Sequence, residues 1–538
     1  MSAGGGAAAG GAARPAYFDT GWTGGHNPWA IALVVTMATF MEVLDTSIAN
    51  VSLPHIAGNL SVSQDESTWV LTSYLVSNAV VLPISGWIAS RIGRKRFYMT
   101  CVVLFTTSSF LCGIAPSLGT LVFFRVLQGV GGGGLGPSEQ AILADTFPPA
   151  KRGMAFAVYG MAVVLAPAIG PTLGGFITDH FSWRWIFFIN IPVGIVSLFL
   201  TNRLVSDPPH IRVARDRKIP IDYVGLALIA IGLGFMEIVL DKGQEDDWFT
   251  SRFITVSTVI AAVSLVSFVI WELKQKNPVV EVGLFKSRTF AAANIMMLTL
   301  GVTLFGSTVL LPQFMQVLMG YTAQQSGMAL SPGGFVVILI LPLVGRLVSR
   351  VDPRYLIGFG FVILSVSLFY MTGHLYTGID FGTAVKLRVF QSIGLPFLFI
   401  PINTIVYADI PPQKNNAVSG ILNLSRNMGG DIGIAFVTTL IARRSQYHQS
   451  VLSTHASNFN PTFVERIAAI ARSFEHAGAS SVEAMQRALA VVARQIQQQA
   501  VTLAYLDALK SLAIATACML PLLLFTRRPR AAGAPMGH

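Results

Sequence analysis

The sequence predicts an all-α membrane protein of about fourteen transmembrane helices, and three observations carry that class. The first is composition: 53% of the 538 residues are hydrophobic and 12% charged, with a mean hydropathy of +0.61, whereas soluble domains carry about 25% charged residues. The second is a series of long apolar runs, since about 20 residues rising about 1.5 Å each cross a hydrocarbon core of about 30 Å. The third is that Lys and Arg gather in alternate loops, as they do on the cytoplasmic side of membrane proteins. Composition alone excludes an ordinary soluble enzyme.

The runs lie near 29–53, 67–90, 97–116, 118–143, 153–178, 183–201, 222–241 and 252–272, then near 290–315, 327–349, 355–374, 382–408, 415–440 and 500–525. The basic loops hold Arg91, Arg94, Lys95 and Arg96; Lys151 and Arg152; Arg212, Arg215, Arg217 and Lys218; Lys274, Lys276, Lys286 and Arg288; and Arg350 and Arg354. The intervening loops are neutral or acidic, as in Gln64 to Glu66 and Gln244 to Asp247. Both termini are therefore expected in the cytoplasm, as an even number of spans requires. The net charge of +11 follows from this bias and needs no nucleic acid; a weak pull toward anionic lipid accompanies it. Residues 1–28, rich in Gly and Ala, lack the basic, apolar and cleavage-site order of a secretory signal and read as a disordered cytoplasmic tail. Cys101, Cys112 and Cys518 all sit in apolar runs, which excludes a disulfide framework or a metal cluster.

Internal repetition organises the spans. Arg125-Val-Leu-Gln128-Gly129 recurs as Arg388-Val-Phe-Gln391-Ser392, and Pro148-Pro149-Ala-Lys151 recurs as Pro411-Pro412-Gln-Lys414 at the same offset; Gly86 to Arg91 likewise recurs as Gly345 to Arg350. Two six-helix halves so related make a transporter plan: residues 29–205 form the first bundle, 206–280 two linker helices, and 281–440 with 500–526 the second bundle. Residues 527–538 form a cytoplasmic tail.

On these residues the chain resembles the fourteen-helix drug:proton antiporters of the major facilitator superfamily, the EmrB/QacA group, and looks closest to its EmrB branch. Four motifs appear in order: Leu44 to Pro54 in the first helix, the Gly86 to Lys95 loop, Arg125 to Gly129, and an antiporter motif of Gly160, Pro167, Gly170, Pro171, Gly174 and Gly175. Small residues three and four apart let helices approach closely, and prolines permit bending. The antiporter motif reads either as tight packing alone or, as the resemblance implies, as a mark of export. The resemblance also implies a major facilitator fold, a bacterial inner-membrane location, small amphipathic substrates exchanged for protons, and no cofactor. In one departure, Ser90 precedes Arg91 and Ser349 precedes Arg350 where the superfamily usually places an Asp, so no carboxylate latch is expected there. Gly86, Gly93, Arg91 and Arg94 remain, either as a conformational loop or as topology signals.

Ionisable groups inside a membrane cost a few kcal/mol or more, which makes them functional candidates. With the first span ending near Pro54, Asp45 lies roughly 13 Å deep and Glu42 roughly 18 Å, while Arg125 counted from Leu118 lies roughly 10 Å deep. Glu42 and Asp45, three apart, share a helix face, and two close carboxyls in a low dielectric resist double ionisation, which suits a proton carrier. Asp45 and Glu42 thus read as proton carriers biased by Arg125, against a fixed Asp45–Arg125 ion pair that only aligns helices. Arg426 falls mid-span in a stretch that matches a family motif except that Asp431 replaces a small residue; the two are five apart and face different ways. Glu237 is expected in the outer half of the seventh span, and Glu139 near the solvated inner end of the fourth. Asn403, Gln313 and Phe305 are candidates to line a cavity, with apolar packing as the other reading.

Residues 441–499 are too polar to span and read as a helical hairpin on the outer side. Asn460 and Pro461 start its first helix, Gly478 stops it, and Phe463, Ile467, Ile470 and Phe474 form a stripe. Ser480 with Glu483 makes a capping box for a second helix whose face carries Met485, Leu489, Val492, Ile496 and Leu503. With no Gly or Pro before Pro521, this helix is expected to run about 44 residues into the last span, roughly 65 Å, so that about half projects outward. Such a projection suits either docking or a cap over the transporter. The resemblance implies as partners a periplasmic adaptor of the EmrA type and a TolC-like outer-membrane channel.

Gly131-x-Gly133-x-x-Gly136 fits a dinucleotide fingerprint but sits in a spanning helix without a preceding strand, and so is a false match. No Walker A, HExxH or GxSxG sequence occurs, which disfavours ATP-driven transport and hydrolysis. The remaining alternatives are a transporter of one metabolite, such as a siderophore, amino acid or fatty acid, and a lipid-handling or sensory membrane protein.

Overall fold

The computed structural model describes residues 21–209, 222–275, 278–408, 410–457 and 459–526. The 527–538 tail, Arg212, Arg215, Arg217, Lys218 and Lys276 lie outside these. Of the expected N-terminal tail, only 21–28 is described, and there the Trp22 amide donates to the Asp145 carbonyl (2.8 Å).

Among the described residues the structure is helical throughout, without strands. The first half contains α1 (Pro28–Leu60), α2 (Trp69–Ile92), α3 (Arg94–Ile114), α4 (Leu118–Gly132), α5 (Leu135–Thr146), α6 (Pro149–His180) and α7 (Asn190–Leu204). Pro28 starts α1 where its missing N–H costs nothing, capped by Asn27, which accepts from the Trp29 amide (2.9 Å). The fourth expected span is two helices, α4 and α5, parted at Gly133 and Gly134. The glycines that imitate a nucleotide fingerprint serve packing: a Cβ on Gly131 would lie 2.7 Å from the Phe105 amide nitrogen of α3.

Next come α8 (Tyr223–Lys242) and α9 (Arg252–Glu272), which pack against each other. Val256, Val259, Val263 and Val266 of α9 are all exposed, an apolar stripe at helical spacing that suits lipid. The second half contains α10 (Arg288–Met319), α11 (Ala323–Leu347), α12 (Pro353–His374), α13 (Phe381–Ala408), α14 (Asn415–Ser453), α15 (Pro461–His476) and α16 (Ser481–Ala517). Among the described residues, twelve helices are long and apolar enough to span a membrane, or thirteen if α6, bent by 42° around Pro167, is one span. The thirteenth expected span, near 415–440, lies within α14, a helix of 39 residues, and falls short of that hydropathy, since Arg426, Asp431 and several asparagines occupy it.

Both halves pair their helices alike: α1 lies along α6, and α10 along α14. Contact between halves runs through α2 with α14 and through α6 with α11. At the end that carries Arg91, Arg94, Lys151 and Arg350, called here the basic end, the approach is backbone-close. A Cβ on Gly86 would lie 2.8 Å from the Asn416 carbonyl, and one on Gly153 would lie 2.8 Å from the Gly345 carbonyl oxygen and overlap Val348.

The hairpin forms, with its own small core of Ile467, Ala471, Ala484, Ala488 and Val492, flanked by Phe463, Ile470, Phe474 and Ile496. The face of α16 expected to carry Met485, Leu489, Val492 and Ile496 is divided: Met485 and Leu489 are exposed, beside Val482, while Val492 is buried. Ala484 and Ala488 take the inner face because their small side chains let α15 come close. The expected capping box is half made. Ser480 Oγ accepts from the Glu483 amide (3.4 Å), whereas the Glu483 carboxylate accepts from Arg487 one turn on (2.6 Å), a charged donor that a neutral amide does not match. The second helix is regular for 37 residues and tightens at Pro521 into a 3-10 turn, Leu520–Phe525.

Candidate functional site

Asp45 sits at the centre of a buried polar cluster in the first half. Its Oδ2 accepts from Arg125 Nη1 (2.5 Å), and its Oδ1 from Asn190 Nδ2 (2.6 Å) and Gln128 Nε2 (3.0 Å). Arg125, with no solvent exposure, also donates to the Val70 carbonyl (2.9 Å) and to Gln128 Oε1 (2.7 Å). Its guanidinium lies 4.4 Å from the Tyr74 ring centroid, a cation–π contact that desolvation strengthens. Four elements, α1, α2, α4 and α7, thus converge on one ion pair. Removing one partner of such a pair costs far more than the intact pair contributes, because a bare charge is left in a dry site.

Glu42 does not join that cluster directly. Its Oε1 accepts from Tyr74 Oη (3.0 Å) and Asn78 Nδ2 (3.1 Å), both on α2. Tyr74 is the link, bonded to Glu42 through its hydroxyl and stacked on Arg125 through its ring. Glu139 departs from its expected solvated position: it has no exposure, one oxygen accepts from Thr36 Oγ1 (2.5 Å), and the other has no partner. The break at Gly133 and Gly134 turns α5 inward, so that every residue from Leu135 to Ala144 is buried. Thr36, Glu42 and Asp45 therefore place three carboxyl contacts along a stripe winding around α1.

The antiporter motif lies between this stripe and the second half. A Cβ on Gly170 would overlap Ser47, and one on Gly174 would lie 3.1 Å from Ile48 Cγ2, two and three residues from Asp45. On its other side Gly160 faces Phe399 and Leu341, and Pro171 faces Gly327. Pro167 marks the 42° bend; Gly175 faces open space.

Hydrogen bonds cross between the halves nearby. Arg426 Nη1 donates to Tyr159 Oη (2.9 Å), Tyr159 Oη to Asn423 Oδ1 (3.0 Å), and Asn423 Nδ2 to Gln140 Oε1 (3.0 Å). Asp431 points elsewhere, toward the buried Glu237 of α8. Asn403 donates to the Phe399 carbonyl of its own helix (2.8 Å), an internal bond rather than a cavity contact. Gln313 is half-buried, and Phe305 packs on Gly430. At the basic end Ser90 Oγ donates to the Trp87 carbonyl (2.7 Å), Arg91 stacks over Trp87, and Gly93 takes a φ of +93° that favours glycine. The carboxylate missing at Ser90 comes from Asp145, which pairs with the buried Arg94 and accepts from Asn415 Nδ2 of α14 (2.8 Å). Arg94 donates also to the Ala141 carbonyl (2.8 Å).

The sequence profile of the Major Facilitator Superfamily matches residues 35–434, from the start of the α1 stripe to beyond Arg426. The chain belongs to the major facilitator superfamily. Among superfamily relatives it is 39% identical over 431 residues to the multidrug export protein EmrB of Escherichia coli strain K12, covering 80% of this chain and 83% of that one. It is also 39% identical over 439 residues to the fatty acid resistance protein FarB of Neisseria gonorrhoeae, covering 81% and 85%. Among solved superfamily structures, the human organic anion transporter MFSD10 (TETRAN) aligns with a TM-score of 0.57 at 12% identity over 93% of this chain and all of that one, a likeness of fold alone. With its twelve or more membrane-length helices, this major facilitator chain is a multi-pass protein of the bacterial inner membrane and a secondary transporter, not an enzyme.

Sequence reasoning missed several residues of these polar clusters. Asn190, the lone amide in an apolar stretch, carries a signal that depth counting could have used. Tyr74 and Asp145 carry none, because their partners lie on other helices.

Proposed function

We propose that this chain is a proton-coupled multidrug efflux transporter that exports amphipathic or hydrophobic toxic compounds. The Asp45–Arg125 pair carries this reading, because it is a titratable, dry contact set against the helix that meets the second half. Protonation of Asp45 from outside removes the charge that Arg125, Gln128 and Asn190 grip, so α1 is freed from α4 and α7. Gly170 and Gly174 pass that movement to α6, and α6 passes it to α11. Glu42 of α1, and Glu139 of α5 where it meets Thr36 of α1, are the next carboxyls inward. Similarity to the multidrug export protein EmrB and to the fatty acid resistance protein FarB supports this reading.

The plan is six, two and six spans, with α14 as the thirteenth, both termini cytoplasmic and the hairpin periplasmic. In everted vesicles energised by respiration, several unrelated drugs are expected to dissipate the pH gradient; a response to one metabolite only overturns the multidrug reading, and no response overturns proton coupling. The exposed Val482, Met485 and Leu489 stripe on α16 suits docking of an EmrA-type adaptor that leads to a TolC-like channel. Deletion of 455–495 is expected to spare insertion and vesicle transport while abolishing resistance in whole cells. Unchanged resistance counts against docking.

A further inference from the structure

The two halves treat one buried arginine differently. In the first half Arg125 meets Asp45, 80 residues earlier in the chain; in the second, Arg388 meets Thr308, also 80 residues earlier, its Nη2 donating to Thr308 Oγ1 (3.1 Å). Both arginines donate from Nη1 to a glutamine one turn on, Gln128 at 2.7 Å and Gln391 at 2.8 Å. The geometry repeats, but the carboxylate does not. Arg388 is 7% exposed, its Nε has no partner, and among the described residues no carboxylate pairs with it.

A guanidinium in a low-dielectric interior is costly unless an anion neutralises it. Gln391 and Thr308 are neutral, so the second half leaves that role open. Nε is free and Nη2 makes one bond, to neutral Thr308; Nε and Nη2 together form the side of the fork that takes a carboxylate through two parallel hydrogen bonds. Phe305, half-buried and three residues from Thr308 on α10, presents an apolar surface one turn away.

We propose that Arg388 is the binding site for the head group of anionic substrates, taking the carboxylate of an amphipathic organic acid whose apolar tail lies along α10 near Phe305. Thr308 and Gln391, both neutral, leave the charge of the guanidinium unmatched, and the occluded setting makes the bound anion the neutralising partner that Asp45 is for Arg125. This assignment rests on the export reading for how such acids reach the site, but its test uses equilibrium binding without a proton gradient. Failure of proton coupling and failure of this site are therefore read in separate assays.

The full-length protein in nanodiscs is titrated with dansyl-labelled undecanoate and with the matching neutral amide. Wild type is expected to bind the acid about tenfold more tightly than the amide, Arg388→Gln to lose that preference, and Arg388→Lys to keep part of it. Thr308→Asp rebuilds the first-half ion pair and is expected to exclude the acid in a folded protein, which covers the case in which Arg388→Gln does not fold. Equal binding of acid and amide by wild type, or a preference that survives in Arg388→Gln or Thr308→Asp, overturns the assignment.

Discussion

Asp45→Asn is expected to abolish drug-driven proton movement, with gradient-driven export falling at least about tenfold, as for other residues that act in a charged unit. The asparagine keeps the side chain's size and its bonds from Gln128 and Asn190, but it carries no titratable proton and leaves Arg125 without its counter-ion. Arg125→Met, which strands Asp45 instead, is expected to destabilise the protein by about 3–5 kcal/mol, the usual consequence of breaking a buried pair. The double variant Asp45→Asn with Arg125→Met should recover thermal stability in detergent without recovering coupling, which separates the architectural from the energetic role of the pair. Glu42→Gln should have a smaller effect, because Glu42 is held by the neutral Tyr74 and Asn78. Full coupling in both Asp45→Asn and Glu42→Gln removes the proton role from α1.

Gly153→Val is the second large effect. Its added carbons meet the Gly345 carbonyl and Val348 across the α6–α11 contact, and Gly86→Val meets the Asn416 backbone across α2 and α14. Backbone cannot retreat as a flexible side chain can, so each variant wedges the basic end apart while leaving α6 or α2 helical. Insertion is expected to be normal and transport to fall by about tenfold or more, since an interface that must close and reopen in each cycle sets the turnover. A cysteine introduced as Gln140→Cys should become more accessible to an impermeant maleimide from the basic side. Normal transport by Gly153→Val would show that this contact does not open and close during export.

The pairing of Asp45 with Arg125 was legible because both depths follow from a constant rise per residue. The membrane class was legible for a similar reason: lipid forces apolar character onto each span separately. Contacts between helices leave no such trace. Glu139 looked solvated when counted from the helix end, yet the Gly133–Gly134 break turns its helix inward, and the carboxylate absent at Ser90 reappears from Asp145 on a different helix. The stripe of Met485, Leu489, Val492 and Ile496 was legible as one helix face, but which part of it stays exposed was not, because the close approach of α15 selects Ala484 and Ala488 for packing. Apolar runs read one by one suffice to name the fold class, so the polar stretch of α14, which falls short of span hydropathy, leaves the architecture legible.

The last helix has a mechanical consequence. At 37 residues α16 is about 55 Å long, and Asp507 pins it to Arg444 and His448 of α14 at 2.6 and 2.7 Å, so the two helices tilt together. The rod is stiff and anchored near one end, which makes it a lever arm. A rocking of about 10° about its point in the bilayer sweeps the tip through roughly 7 Å, given about 1.5 Å of rise per residue. Anything resting on Val482 and Met485 would move with such a tilt, its stroke set by the distance from Asp507.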